Sequence, residues 1–192
     1  MSKQVSIAII YYSGMGHTKK VAEHVYKGVL SVPNVTARLF TSDEAIKEIA
    51  TLENFDGFIF GSPTYMGNVA AKFKEFMEAT SPVYFRQRNL QDKIAAGFTN
   101  SASFSGDKQS TLLSIFTFAA QHGMIWVPLG LPPLNNNSQS TGNEPNRCGF
   151  FTGLGTQSNA DQSAEFAPPE TDLLTAESLG ARVAKITHKF NN

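Results

Sequence analysis

Apolar and polar positions alternate in blocks along this chain in a way that predicts strands and helices in turn. Short, nearly continuous apolar runs occur at 5–11, 35–40, 55–61, 94–99 and 124–129, each rich in β-branched or aromatic residues. Between them the apolar residues recur at helical spacing. The segment 17–31 carries Val21, Ala22, Val25 and Val29 on one face, and 69–79, 108–122 and 172–190 repeat the pattern, with a weaker instance at 43–49. Five strands alternating with helices predict an α/β fold: a parallel sheet covered on both faces, whose strands are apolar throughout because neither face meets water.

Residues 131–171 interrupt this rhythm with Pro132, Pro133, Asn135, Asn136, Asn137, Gly142, Asn143, Pro145, Pro168 and Pro169, and only scattered apolar residues. So long a loop inside a compact domain is a lid, an interface element or a disordered insertion. One domain over 1–192, elaborated by this loop, is the expected organisation for 192 residues.

Composition narrows the function classes. Sixteen basic and sixteen acidic residues cancel, which gives no electrostatic case for nucleic acid or an anionic membrane. The single cysteine, Cys148, permits no internal disulfide and fits a reducing, cytoplasmic setting. No run approaches the roughly twenty apolar residues of a membrane span, and the chain starts with no signal-peptide pattern.

The chemistry is concentrated where three strands end. After the first strand come Ser13, Gly14, Met15, Gly16, His17 and Thr18, immediately followed by a helix. A buried strand, a small-residue turn and a helix start aim backbone N–H groups at an anion, and the two hydroxyls can donate to phosphate oxygens. The pattern is neither G-x-x-x-x-G-K-[ST] nor G-x-G-x-x-G, so neither a P-loop nor a dinucleotide fingerprint is present. The third strand ends in Gly61-Ser62-Pro63-Thr64-Tyr65-Met66-Gly67-Asn68, and the fourth in Thr99-Asn100-Ser101-Ala102-Ser103-Phe104-Ser105-Gly106. Open α/β sheets bind ligands beyond such carboxyl ends, so three small, polar loops there predict one shared site.

The pair SGMGHT and SPTYMGN resembles the flavodoxin-like fold family, and within it the WrbA-type NAD(P)H:quinone oxidoreductases. Gln109 after the third loop, QHGM leading into VPLG, and the late GFFTGLGT extend the likeness over nearly the whole chain. The resemblance implies a five-stranded sheet of order 2-1-3-4-5 and FMN as cofactor. It implies that Ser13, Gly14, Met15, Gly16, His17 and Thr18 meet the phosphate. Pro63, Thr64, Tyr65, Met66, Gly67 and Asn68, with Asn100, Ser101, Ala102, Ser103 and Gly106, would flank the flavin ring. His122 and Tyr65 would stand at the catalytic cavity, with NADH or NADPH as donor, a quinone as acceptor, no metal, and a homo-oligomer, dimer or tetramer. A helix-end capping role competes for His122 and a capping-region role for His17; Trp126 is expected in the core and Cys148 to be incidental.

Two features depart from the family pattern. Tyr65 stands where an arginine is usual, which weakens the case for recognising a nicotinamide-cofactor phosphate, and Phe104 enters a loop that is usually richer in glycine. The alternative function is an FMN electron carrier with no substrate of its own. Such carriers are typically strongly acidic, unlike this chain. A receiver domain would need an aspartate at the end of the third strand, where Gly61-Ser62-Pro63 stand.

Overall fold

The computed structural model describes residues 4–191. Its elements are β1 (Val5–Tyr11), α1 (His17–Leu30), β2 (Val35–Thr41), α2 (Ser42–Lys47), β3 (Gly57–Tyr65), β4 (Asn68–Val69), α3 (Ala71–Thr80), β5 (Ile94–Ser101), α4 (Lys108–Gln121), β6 (Ile125–Trp126), β7 (Leu154–Gln157) and α5 (Glu170–Phe190). All strands join one sheet with the main order β2-β1-β3-β5-β6. Counting the strands of this main path in chain order, it is the 2-1-3-4-5 order. The numbering differs because β4 is a short strand paired with the end of β3.

Period-two alternation sorts the strand residues between two cores. Val5, Ile7, Ile9 and Ile59 face α1 and α5, where Val21, Val25, Leu179 and Val183 meet them. Ala8, Ile10, Phe58 and Phe60 face α2, α3 and α4. The second core is aromatic: Phe58 and Phe60 stack at 5.7 Å and 9°, and Phe118 of α4 meets Phe60 edge-on at 5.3 Å. Both faces are dry, which is why the strands read as unbroken apolar runs.

The expected fifth strand at 124–129 is a split strand instead. β6 pairs with only the start of β5 (Ile94↔Ile125, Ala95↔Trp126), whereas β7 pairs with its end (Phe98↔Leu154 to Ser101↔Gln157). The chain leaves the ladder where Pro128 has no N–H to donate, one residue after Val127 makes its last bond to Ala95 (2.7 Å). It returns at Gly153, whose backbone runs so close to Gly97 that an added Cβ would stand 2.4 Å from the Gly97 carbonyl oxygen. The irregular stretch expected over 131–171 therefore contains a strand, too short and glycine-rich to show a period.

The excursion is fastened to the body. Asn146, 1% exposed, donates Nδ2 to the carbonyls of Leu131 (2.8 Å) and Phe150 (3.0 Å), and its N–H goes to Thr175 Oγ1 on α5. Trp126 packs edge-on against Phe116 and donates Nε1 to the carbonyl of Thr152, so the indole belongs to the sheet edge and not to the ligand cavity.

Two strands run further than their apolar blocks. β3 continues to Tyr65 and β5 to Ser101, so Pro63, Thr64, Tyr65, Asn100 and Ser101 are strand residues. β1 stops pairing with β3 at Gly61, which leaves one flank of β3 free where Pro63 stands. Met66 and Gly67, at φ 48° and 80°, then turn the chain tightly back into β4.

Candidate functional site

The α1 N-terminus forms the floor of the site. Gly16 precedes the helix at φ 86°, a left-handed conformation that side chains disfavour, and no side chain caps the first turn. No acidic residue lies in that turn either. The leading N–H groups of this fourteen-residue helix are thus left without side-chain acceptors, at the end where the macrodipole favours an anion. Beside them the Ser13 hydroxyl is buried with no hydrogen-bond partner in the protein, and Thr18 is 2% exposed. A buried hydroxyl without a partner is costly for the fold and is the group a ligand would satisfy.

Above this floor a cavity of about 260 Å³ opens at the carboxyl ends of the strands. It is lined by Ser13, Met15, His17 and Thr18 from the first loop, Pro63, Thr64 and Tyr65 from β3, and Asn100, Ser101 and Ala102 from the end of β5. Ser158 and Ala160, just beyond β7, complete it. These last two were not expected. Their signal was the GLGT segment, but only the split of the fifth strand brings the residues after that segment beside β5.

Internal hydrogen bonds fix the polar lining. Asn100 Oδ1 accepts from Thr156 Oγ1 (2.8 Å) and Ser158 Oγ (3.0 Å), so its amide N–H groups are what it can offer a ligand. Thr64 Oγ1 shares hydrogen bonds with Thr99 (2.9 Å) and Thr111 (2.8 Å), both fully buried, which ties β3 to β5 and α4. The segment after β7 closes over the first loop: His17 Nε2 meets the carbonyl of Gln162 at 2.8 Å, and Lys20 Nζ donates to the carbonyl of Glu165. Tyr65, 42% exposed, lays its ring across the first loop, its phenol oxygen 2.6 Å from where a Cβ on Gly14 would stand. Burial, foremost, and the neighbouring Tyr12 raise its pKa, so it stays a neutral phenol.

The other expected residues stand further back. Gly14 lies under Tyr65, and Gly16 borders the adjoining depressions. Met66 is fully exposed at the hairpin tip with Gly67, and Asn68 spends its Oδ1 on the N–H of Val69 (2.8 Å). Ser103 and Gly106 belong to the loop after β5 and are not among the residues that line the cavity.

His122 stands apart from this cavity. It caps the carboxyl end of α4, and the fourteen residues of that helix put it about 21 Å from the end that faces the cavity. There it is 5% exposed, hydrogen-bonds Thr80 Oγ1 through Nε2 at 2.9 Å, and packs against Phe118 and Phe85. Burial, and secondarily the charge of Arg88, lowers its pKa. One chain does not bring His122 to its own cavity. Cys148 is also removed from the chemistry: burial, with a smaller contribution from Asp172, pushes its thiol up to about 11. No cluster of potential metal ligands occurs among the described residues.

A doubly wound sheet whose strand ends surround an uncapped helix N-terminus and a polar cavity defines a flavodoxin-like ligand-binding protein. The model of the NADPH-dependent FMN reductase family matches residues 21–137, and the chain belongs to that family. It is 43% identical, over the whole of both chains, to flavodoxin FldP of Pseudomonas aeruginosa strain UCBPP-PA14. It is 32% identical, over 96% of each chain, to quinone-oxidoreductase QR2 of Triphysaria versicolor. Among solved structures it resembles a flavodoxin, WrbA-like protein from Agrobacterium tumefaciens, with a TM-score of 0.74 and 33% identity over 96% of this chain and 98% of that one.

Proposed function

We propose that the protein is an FMN-dependent oxidoreductase that carries two electrons from NAD(P)H to a quinone. The observation that carries the reading is the unpartnered Ser13 hydroxyl beside the uncapped N-terminus of α1, on the floor of the cavity. That donor set fits a terminal phosphomonoester: hydroxyls and N–H groups, a favourable dipole, and no acidic side chain in the first turn. Ser13, Thr18 and the N–H groups of residues 14–18 would hold the phosphate. Tyr65 and the ends of β3 and β5 would flank the ring, and the Asn100 amide would meet its polar edge. FMN, when bound, supplies the two-electron relay between donor and acceptor.

The protein's own share is binding, orientation and exclusion of water. Met15 and Tyr65 line the site as exposed apolar side chains, and Met66 and Phe104 are exposed on the loops that carry its lining. They suit a planar, largely apolar acceptor better than a charged docking partner. We place the enzyme in the cytoplasm as one domain assembled as a homo-oligomer; exposed Leu113, Phe116 and Phe151 offer apolar surface for such contacts. No helix among the described residues is long and apolar enough to cross a membrane.

The 43% identical relative named a flavodoxin favours a second reading, an FMN carrier that only relays electrons between proteins. Anaerobic mixing of the FMN-loaded protein with NADPH separates the two. Prompt bleaching of the flavin's visible absorbance, reversed by benzoquinone, supports the enzyme. Double-reciprocal plots should then be parallel, as for two substrates using one cavity in turn. Absent bleaching with tight FMN binding supports the carrier.

A further inference from the structure

The loop between β5 and α4 is held from behind by side chains that the proposed reaction does not use. Lys108, the first residue of α4, is fully buried, and its ammonium donates to the carbonyls of Ser103 and of Phe104 (2.9 Å). Gln157, the last residue of β7, donates Nε2 to the carbonyl of Ala102 at 2.8 Å. Gln157 is itself locked: its N–H goes to Asp172 Oδ2 at 2.8 Å, and its Oε1 accepts from Arg147 Nη2 at 3.1 Å. The Arg147 guanidinium in turn lies 4.6 Å from the centroid of the Phe104 ring.

Three successive carbonyls of this loop are therefore turned inward. In a trans peptide the N–H points opposite to the C=O. The N–H groups of Ser103, Phe104 and Ser105 thus face away from Lys108 and Gln157, and among the described residues none of them has a protein acceptor. They stand next to Ser101 and Ala102, which line the cavity.

Lys108 breaks two rules that stability alone would impose. A lysine is seldom fully buried, and a cation at a helix N-terminus opposes the macrodipole. Burial lowers its pKa, which the attraction of Asp172 only partly offsets, and the ammonium stands 5.8 Å from the centroid of the Phe150 ring. Asp172 is paired with Arg147, and Asp107, beside Lys108 in the chain, is exposed and screened by water. A locally unfavourable choice is expected where function requires it.

We infer that Lys108 is a positioning residue for the FMN loop. Together with Gln157 and the Arg147–Asp172 pair, it fixes residues 102–105 so that three N–H donors are presented at the rim of the cofactor cavity, and it places a positive charge behind them. This rests on the FMN reading above. A positive charge there favours the cofactor in its electron-rich form, so Lys108 raises the reduction potential as well as the affinity.

The test compares wild type with Lys108→Met, which keeps the length of the stem and removes the charge. FMN affinity is read from fluorescence quenching, and the two-electron potential from equilibration with a reference dye. Oxidised FMN should bind at least tenfold more weakly, and reduced FMN should lose a further tenfold, which lowers the potential by about 30 mV. Amide exchange of the wild type, with and without FMN, tests the donors without any substitution: the N–H groups of Ser103, Phe104 and Ser105 should become protected on binding. This second measurement decides the matter if Lys108→Met does not fold. Unchanged affinity and potential in a folded variant, or unprotected amides in the loaded wild type, overturn the inference and leave the FMN reading standing. A wild type that takes up no FMN overturns that reading, and the inference with it.

Discussion

Arg147 and Asp172 meet in a two-pronged ion pair inside the fold, Nε to Oδ1 at 3.1 Å and Nη2 to Oδ2 at 3.0 Å, with side chains 8% and 2% exposed. One partner comes from the excursion between β6 and β7, the other from the first turn of α5, where a carboxylate suits the helix dipole. The pair makes the excursion part of the body. It also removes Arg147 from the set of cations that could greet a cofactor phosphate.

Breaking the pair from one side should be severe. Asp172→Ala leaves a guanidinium buried without its counter-charge and strips the N–H of Gln157 of its acceptor, a loss of about 3–5 kcal/mol. Replacing both, as Arg147→Met with Asp172→Leu, should recover part of that, because no lone charge stays buried. Urea unfolding of the wild type and both variants checks this. Equal losses in the single and double variants would mean that the charges do not act as a pair.

Ser13→Ala separates a binding role from a structural one by its sign. The hydroxyl has no protein partner, so the apoprotein should lose no stability and should melt at or slightly above the wild-type temperature. FMN affinity should fall by the value of one charge-assisted hydrogen bond, about 1.5–3 kcal/mol, or roughly ten- to hundredfold. Thr18→Ala should weaken binding similarly. Gly16→Asp should abolish it, since it adds a carboxylate at the anion site and a side chain at φ 86°. Full FMN affinity in Ser13→Ala would move the phosphate elsewhere.

The same residues show how far the chain could be read in advance. The strand, turn and helix start of the first loop were legible because they succeed one another within fourteen residues, so local order alone implies them. The four long strands and two-sided packing were legible because dry strands must be apolar throughout. The split of the fifth strand was not, because Leu154–Gln157 pairs through partners more than fifty residues away and has no period of its own. Ser158 and Ala160 were hidden for the same reason. The place of His122 was hidden because a motif gives position along the chain and not along the axis of α4, whose length carries it to the far end of the sheet.

His122 should shape the pH dependence of stability. Burial lowers its folded pKa below the ordinary value near 6.5, so the fold favours the neutral ring. Its contribution is therefore complete above the unfolded pKa and is lost as pH falls through that value toward the folded one. Melting temperatures of wild type and His122→Gln should accordingly converge as the pH is lowered from 7.5 to about 5. A constant gap across that range would show that protonation of this ring is not resisted by the fold.

Tyr65 sets the last expectation. No lysine or arginine occurs between Gly61 and Ala71, and Arg147, the arginine of the excursion, is committed to Asp172. Discrimination by a 2′-phosphate rests on charge-assisted hydrogen bonds worth about 1.5–3 kcal/mol each. Without one, the ratio of kcat/KM for NADPH and NADH should stay within about tenfold, or about 1.4 kcal/mol of differential transition-state stabilisation. Tyr65→Arg adds a fork of donors on an exposed position at the cavity mouth and should shift the ratio toward NADPH by about tenfold or more. The substitution also lifts the ring from Gly14, so FMN affinity must be measured beside it. A native preference of several hundredfold would mean that a cation from outside this chain's own cavity reads the phosphate, and a Tyr65→Arg ratio equal to wild type would mean that this side chain does not face the nucleotide.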